Sequence, residues 1–300
     1  MKLPRSFEVC IACLNATPFP GGAVWSNEHI IPAALGGNLT CEFLCKTCND
    51  RFGHTFEKRA RTDPAIRLSV IKLKQRLPRL FDAIEDGQQW IIEAGGKRLP
   101  AIYKKGGVFL CQTRKIDGDL WASSDDTERS IQEMLRRRGH DDEAIQDTLK
   151  KLAAAPEQTE VSLGGGMFAI SHPTKLIGPD LSKGESLAAL VSLKIAYEFA
   201  VMSLGSGFLA DLPPLNAIRT SLREGLANPK AFSVVPKITP DRQPHPFHGI
   251  AFIRGTPHVE IQVRLFGNLA YVVSFPKVTI DRKPFRYFHD LESGEDRTEA

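Results

Sequence analysis

The chain lacks any apolar run of the roughly 18 residues that a membrane-spanning helix needs. Its richest stretch, residues 187–204, is interrupted by Ser192, Lys194, Glu198 and Ser203, and predicts a buried helix instead. The opening MKLPRSFEVC has no apolar core of a secretory signal, so a reducing, cytoplasmic setting is expected. There is no internal repeat at a period of about 20–50 residues, which argues against a solenoid or propeller. No Gly-x4-Gly-Lys-Ser/Thr loop is present, which argues against P-loop nucleotide chemistry. Cysteine is scarce, at six residues in 300. In a reducing compartment six cysteines are better read as metal ligands or free thiols than as disulfides.

What is present is ordinary for a globular protein: 42% hydrophobic and 25% charged residues, enough for a core of native size. At about 100–200 residues per domain, 300 residues suggest two. The net charge of +4 is unevenly spread. Residues 51–79 alone carry nine basic side chains against Glu57 and Asp63. Such a block suggests contact with a polyanion, and a solvated helix face is the plain alternative.

The strongest motif is a pair of C-x2-C knuckles, Cys10–Cys13 and Cys45–Cys48, with 31 residues between them. Two intervening residues let both thiolates turn toward one metal, and four thiolates match the closed tetrahedral site of structural Zn2+. Residues 1–60 are too short and too polar to build a good core, which is a second reason to expect a metal there. Cys41 is close enough to compete as a ligand. The paired spacing favours the other four and leaves Cys41 and Cys111 as small buried residues.

Between the knuckles stands Trp25-Ser-Asn-Glu28-His29-Ile-Ile-Pro32, then Gly36-Gly37-Asn38, and Asn49 follows the last cysteine directly. An acidic residue followed by His, two apolar residues and Pro, then Gly-Gly and C-x2-C-N, resembles the HNH endonucleases over residues 8–60, in a variant with Glu-His for Asp-His. The resemblance implies a zinc-stapled ββα-metal domain, His29 as general base, and Glu28 and Asn49 as oxygen ligands of a catalytic Mg2+ or Mn2+. It offers Asn38 as the residue that orders the loop and the histidine. His54, five residues after Asn49, is a further candidate ligand. The chemistry is consistent, because an imidazole with an ordinary pKa near 6.5 can take a proton from water. Carboxylate and amide oxygens suit hard divalent ions. Asn49 is also a favoured helix cap, here for a helix over 50–61.

The expected fold class is α+β: the zinc-stapled domain at 1–62, a basic connecting helix at 63–86 split near Pro78, an α+β domain at 87–290 with an antiparallel C-terminal sheet, and a polar, frayed tail at 291–300. Glycine pairs Gly95-Gly96 and Gly106-Gly107 predict hairpins. Polar helices are expected over 126–138 and 141–154, and a helix over 183–204. The C-terminal strands are placed at 248–254, 259–266 and 269–275. The function this implies is a metal-dependent endonuclease or nickase acting on DNA, duplex by resemblance, with Arg51, Lys58, Arg59 and Arg61 on phosphates. The α+β domain could bind a regulatory ligand or support a homo-oligomer, and no membrane partner is expected. The rival reading is a non-catalytic zinc-knuckle module for nucleic acid or protein, which would have no use for Glu28-His29.

Overall fold

The computed structural model describes residues 7–16, 24–110, 114–116, 119–121, 124–164, 167–182, 184–226, 233–237, 245–253, 258–280 and 282–299. The chain forms two compact units, residues 1–85 with 184–300, and residues 86–183. This differs from the linear division expected over 87–290, because the chain leaves the first unit and later returns to it. Among the described residues no helix is long and apolar enough to cross a membrane.

The first unit opens with a short hairpin, β1 (Glu28–His29) and β2 (Thr40–Cys41), paired antiparallel with Glu28 opposite Cys41. Its connecting loop depends on two glycines. Gly36 takes a left-handed conformation, φ 87°, after the single 3-10 turn Ala33–Leu35. A Cβ on Gly37 would lie 1.9 Å from the Ile31 carbonyl oxygen. Helix α1 (Lys46–Phe52) begins after Cys45 and continues as a π-helical turn, Gly53–Glu57. The expected helix over 50–61 therefore starts earlier, and Asn49 lies inside it rather than at its cap. Two helices follow, α2 (Pro64–Ile71) and α3 (Pro78–Glu85), so the connecting segment is indeed divided at Pro78. Asp63 caps α2 by accepting from the Ala65 and Ile66 amides at 2.7 and 3.1 Å, with Pro64 in the first turn.

The second unit carries an antiparallel sheet of β3 (Gln89–Ala94), β4 (Lys97–Lys104), β5 (Gly107–Leu110) and, later in the chain, β10 (Thr174–Pro179), in the order β10-β3-β4-β5. The β3–β4 turn is Gly95-Gly96, and both residues have positive φ. The β4–β5 turn is Lys105-Gly106, with φ 50° and 79°, one residue earlier than expected. Two-residue hairpins favour such left-handed pairs because their twist matches that of the strands. Strands β6 (Arg114–Ile116) and β7 (Asp119–Trp121) form a small ribbon. Helices α4 (Ser124–Arg137) and α5 (Asp142–Ala154) follow, the second capped by Asp141 through the Ala144 amide at 2.8 Å. With the ribbon β8 (Glu160–Gly164) and β9 (Met167–Ile170) they enclose a small core of Ile131, Leu135, Ile145, Leu149 and Leu163. Cys111 lies outside the described residues.

The chain re-enters the first unit at α6 (Ala188–Leu204), the central helix of that unit. All but one of its residues are buried, Lys194 and Glu198 included, as expected for a helix covered on all sides. Helix α7 (Pro213–Glu224) follows. A six-stranded antiparallel sheet completes the unit, from β11 (Ser233–Lys237), β12 (Phe247–Ile253), β13 (Val259–Leu265), β14 (Leu269–Phe275), β15 (Arg286–Asp290) and β16 (Asp296–Glu299), in the order β11-β14-β13-β12-β15-β16. Strand β13 shows the period-two pattern plainly: Val259, Ile261, Val263 and Leu265 are buried, and the residues between them are half-exposed. The expected frayed tail is instead the last strand, held by Tyr287 donating to Asp296 at 2.6 Å and by the His289–Asp296 pair at 2.9 Å.

Candidate active site

The four knuckle cysteines come together. The sulfurs of Cys10, Cys13, Cys45 and Cys48 all lie within 4.8 Å of one another, and three of the four residues are buried. The backbone forms this cluster through two local devices. The first knuckle is a tight turn closed by the Leu14 amide on the Cys10 carbonyl at 2.8 Å, with Leu14 at φ 59°. The second sits where Cys45 ends an extended segment and starts α1, and the Cys45 amide donates to the Cys10 sulfur at 3.4 Å. The Cys10 thiol is held down to about 5, chiefly by its hydrogen bond with Cys48, whose own thiol is pushed up. The donor set fits Zn2+: four sulfurs at mutual reach, three of them on buried residues. Cys41 is not in the cluster. It is fully buried opposite Glu28, and burial raises its thiol well above the ordinary range.

The hairpin carries Glu28 and His29 beside this staple. His29 is half-buried, and burial, followed by the nearby charge of Lys194, lowers its imidazole below the ordinary value. Glu28 faces inward, with its side chain 3% exposed, and meets Lys194 of α6. The Lys194 ammonium donates to Glu28 Oε1, to the His29 carbonyl and, at 3.1 Å, to the Ile30 carbonyl. Two further carboxylates stand close: Glu57 Oε1 at 2.9 Å and Glu198 Oε2 at 3.1 Å from the same nitrogen. Burial raises the Glu28 carboxyl to about 7 against the opposing pull of Lys194. Burial also acts to lower the Lys194 ammonium, but the surrounding carboxylates, Glu198 foremost, hold it well above the ordinary lysine range.

Helix α6 reaches the N-terminal segment at three points. Lys194 grips the hairpin, as described. The Tyr197 hydroxyl donates to the Ile11 carbonyl in the first knuckle at 2.9 Å. At its start, the Leu187 and Ala188 amides donate to Asp63 at 2.6 and 2.7 Å, so one aspartate caps both α2 and α6. None of these residues was singled out from the sequence as part of the site. The available signal was two charges, Lys194 and Glu198, four residues apart in an otherwise apolar helix.

The remaining expected residues are placed as follows. Asn49 is half-buried on α1, one turn beyond Cys45, and no hydrogen bond joins its side chain to Glu28 or His29. His54 is exposed on the π-helical turn. The Asn38 amide donates to Asp296 at 3.1 Å. Arg51 and Lys58 are exposed, and Arg61 is half-buried. Arg59 donates to both oxygens of Glu185 and to the Thr55 carbonyl. Further along the basic block, Arg67 pairs with Glu85 and Arg76 with Glu292. The excess charge of this block is thus partly neutralised within the first unit.

Residues 10–64 match a family described as HNH endonuclease, which covers both knuckles, the hairpin, α1 and the π-helical turn. No curated protein and no solved structure matches the chain.

Proposed function

We propose that the chain is an HNH-type endonuclease or nickase that hydrolyses phosphodiester bonds in DNA. The observation that carries this reading is the arrangement of residues 10–64: a four-sulfur staple fixes the start of α1 against a hairpin that presents Glu28 and His29. A simple binding knuckle has no need of a half-buried histidine following a buried carboxylate on such a hairpin.

In this reading Cys10, Cys13, Cys45 and Cys48 hold a structural zinc. Glu28, once it releases Lys194, and Asn49 would hold a Mg2+ or Mn2+, which when bound would supply Lewis-acid stabilisation of charge on the phosphoryl oxygens. His29 accepts a proton from water as the water oxygen bonds to phosphorus, and the P–O bond to the departing sugar oxygen breaks. Arg51, Lys58 and Arg61 hold the flanking phosphates, which sets register without reading sequence. Arg59, engaged with Glu185, contributes less. Duplex DNA is the preferred substrate.

Incubating zinc-loaded protein with supercoiled plasmid in Mg2+, in Mn2+ and in EDTA tests the reading. Relaxed or linear product in a divalent ion and none in EDTA is expected. Intact plasmid under every condition, with DNA binding retained, would favour the binding-module alternative.

A further inference from the structure

Lys194 is shared among more oxygen acceptors than its ammonium has protons. An ammonium has three protons, and Glu28, the His29 carbonyl and the Ile30 carbonyl take all of them. Five oxygens nevertheless surround the nitrogen, counting Glu57 and Glu198. Both carboxylate oxygens of Glu198 are buried and receive no hydrogen bond, as is also true of Glu57 Oε1. The Glu198 side chain is 1% exposed. Burying three carboxyls around one ammonium is costly, so a merely structural pair would not be expected to keep the extra two.

The donors are also of one chemical kind. Three carboxyls and two backbone carbonyls form an all-oxygen shell around the ammonium, and a carboxylate such as Glu28 is also the kind of ligand that hard divalent cations take. Here an ammonium from α6, far outside residues 10–64, stands in that shell. Its position does two things. It ties down the backbone of His29 and Ile30 and so fixes where the imidazole projects. It also neutralises Glu28, the carboxylate that the proposed reaction assigns to the divalent ion.

We propose that Lys194 is the resident cation of the Glu28 centre, a positioning residue that clamps the His29 backbone and competes with a divalent ion for Glu28, with Glu198 retaining the ammonium when Glu28 gives it up. Glu198 suits that part because it lies one helical turn beyond Lys194, the i,i+4 spacing at which side chains on one helix meet. Metal entry would then require only a shift of the ammonium from one carboxylate to another along α6. The assignment of the divalent ion rests on the nuclease reading; the competition at Glu28 can be measured without it.

The test is Mn2+ binding to zinc-loaded, full-length protein, read from loss of the free-ion EPR signal, alongside plasmid cleavage. Removing a unit charge a few ångströms from the ligand should make Lys194→Met bind Mn2+ about tenfold tighter or more. Adding Glu28→Gln should abolish that gain. Lys194→Met should also lower kcat more than it changes KM for DNA, because the His29 backbone loses its clamp. Lys194→Met/Glu198→Leu removes one charge of each sign and provides a second variant should the single one fail to fold; it should also bind Mn2+ more tightly than the parent. Unchanged or weaker Mn2+ binding in a folded variant would overturn the proposal, and so would failure of both variants to fold. If the Mn2+ pattern holds while no protein cuts DNA, the Lys194 assignment stands and the nuclease reading falls. If the parent cuts but Mn2+ affinity ignores Lys194, the reverse holds.

Discussion

Two ionic clusters are buried in the first unit, and they are built on different balances. Arg67 on α2 meets Glu85 at the end of α3, with Nε to Oε1 at 2.9 Å and Nη2 to Oε2 at 2.7 Å. The two side chains are 2% and 0% exposed, and their fork geometry matches one positive charge to one negative. Lys194 is shared among three carboxyls, two of which, Glu28 and Glu198, burial pushes above the ordinary carboxyl range. A closed pair of the first kind joins two helices and asks nothing further of the chain. An open cluster of the second kind opposes folding, and such conflicts concentrate where function requires them. The closed pair lies outside the segment that matches the HNH family, and the open one includes that segment's Glu28.

The largest effect should come from the staple that holds the hairpin beside the open cluster. Cys48→Ser should remove zinc and unfold the N-terminal segment, since structural zinc supplies roughly 10–16 kcal/mol of folding free energy. One zinc per parent chain by elemental analysis, and none in the variant, checks this. A variant that stays folded without zinc would separate the staple from the fold.

The contrast between the clusters can be broken directly by charge removal. Arg67→Met should cost about 3–5 kcal/mol, because it removes the two-armed charge partner of a buried carboxylate, whereas Arg67→Met/Glu85→Leu should be near neutral or more stable. Glu198→Gln should cost clearly less than Glu85→Gln, because Lys194 keeps two other carboxyl partners while Glu85 closes both arms of the Arg67 fork. Urea unfolding of these four variants ranks them. Equal losses for the two glutamates would make the clusters equivalent and remove the contrast.

A third buried group, His248, sharpens the comparison because it has no counter-charge. Its Nε2 lies 2.9 Å from the Leu35 carbonyl, and its Nδ1 accepts from the Phe266 amide at 3.4 Å. Burial lowers its imidazole to about 3, well below the value near 6.5 that it regains on unfolding. Its contribution is therefore complete above pH 6.5 and is lost as pH falls from there toward 3, at up to about 1.4 kcal/mol per pH unit. Stability measured from pH 7.5 to 5 should decline less steeply in His248→Gln than in the parent. Parallel profiles would show that another group sets the acid limit.

The smallest effect concerns the exposed cations. Arg51→Ala/Lys58→Ala/Arg61→Ala should flatten the slope of log affinity against log salt by about one per lost phosphate contact. Arg59→Ala, whose guanidinium is paired with Glu185, should change it less. Anisotropy in Ca2+ or EDTA, which suppress cutting, gives both slopes. An unchanged slope in the triple variant would remove these residues from the DNA-binding face.

The staple, the hairpin residues and the three central C-terminal strands were legible because each is local: knuckle spacing, a Glu-His-apolar-apolar-Pro run, and alternation as in Val259–Leu265. The start of α1 was misplaced because Asn49 looks like a cap, whereas Cys45 already ends the extended segment. The last strand was missed because Asp296–Glu299 is wholly polar and owes its place to pairing with Arg286–His289. Lys194 was visible only as a charge that spoils an apolar run. Its partners lie 166 residues earlier, at Glu28, and near the end of α1, at Glu57, and no local pattern links them. The same distance hides the return of residues 184–300 to the first unit.

The most direct test of the central claim is single-turnover cleavage of supercoiled plasmid by the parent and by His29→Ala, with zinc content and DNA affinity measured on both. The account predicts that His29→Ala keeps its zinc and its affinity and cuts about 100-fold more slowly or worse, as expected for loss of a general base. Cleavage by His29→Ala at the parental rate would contradict it.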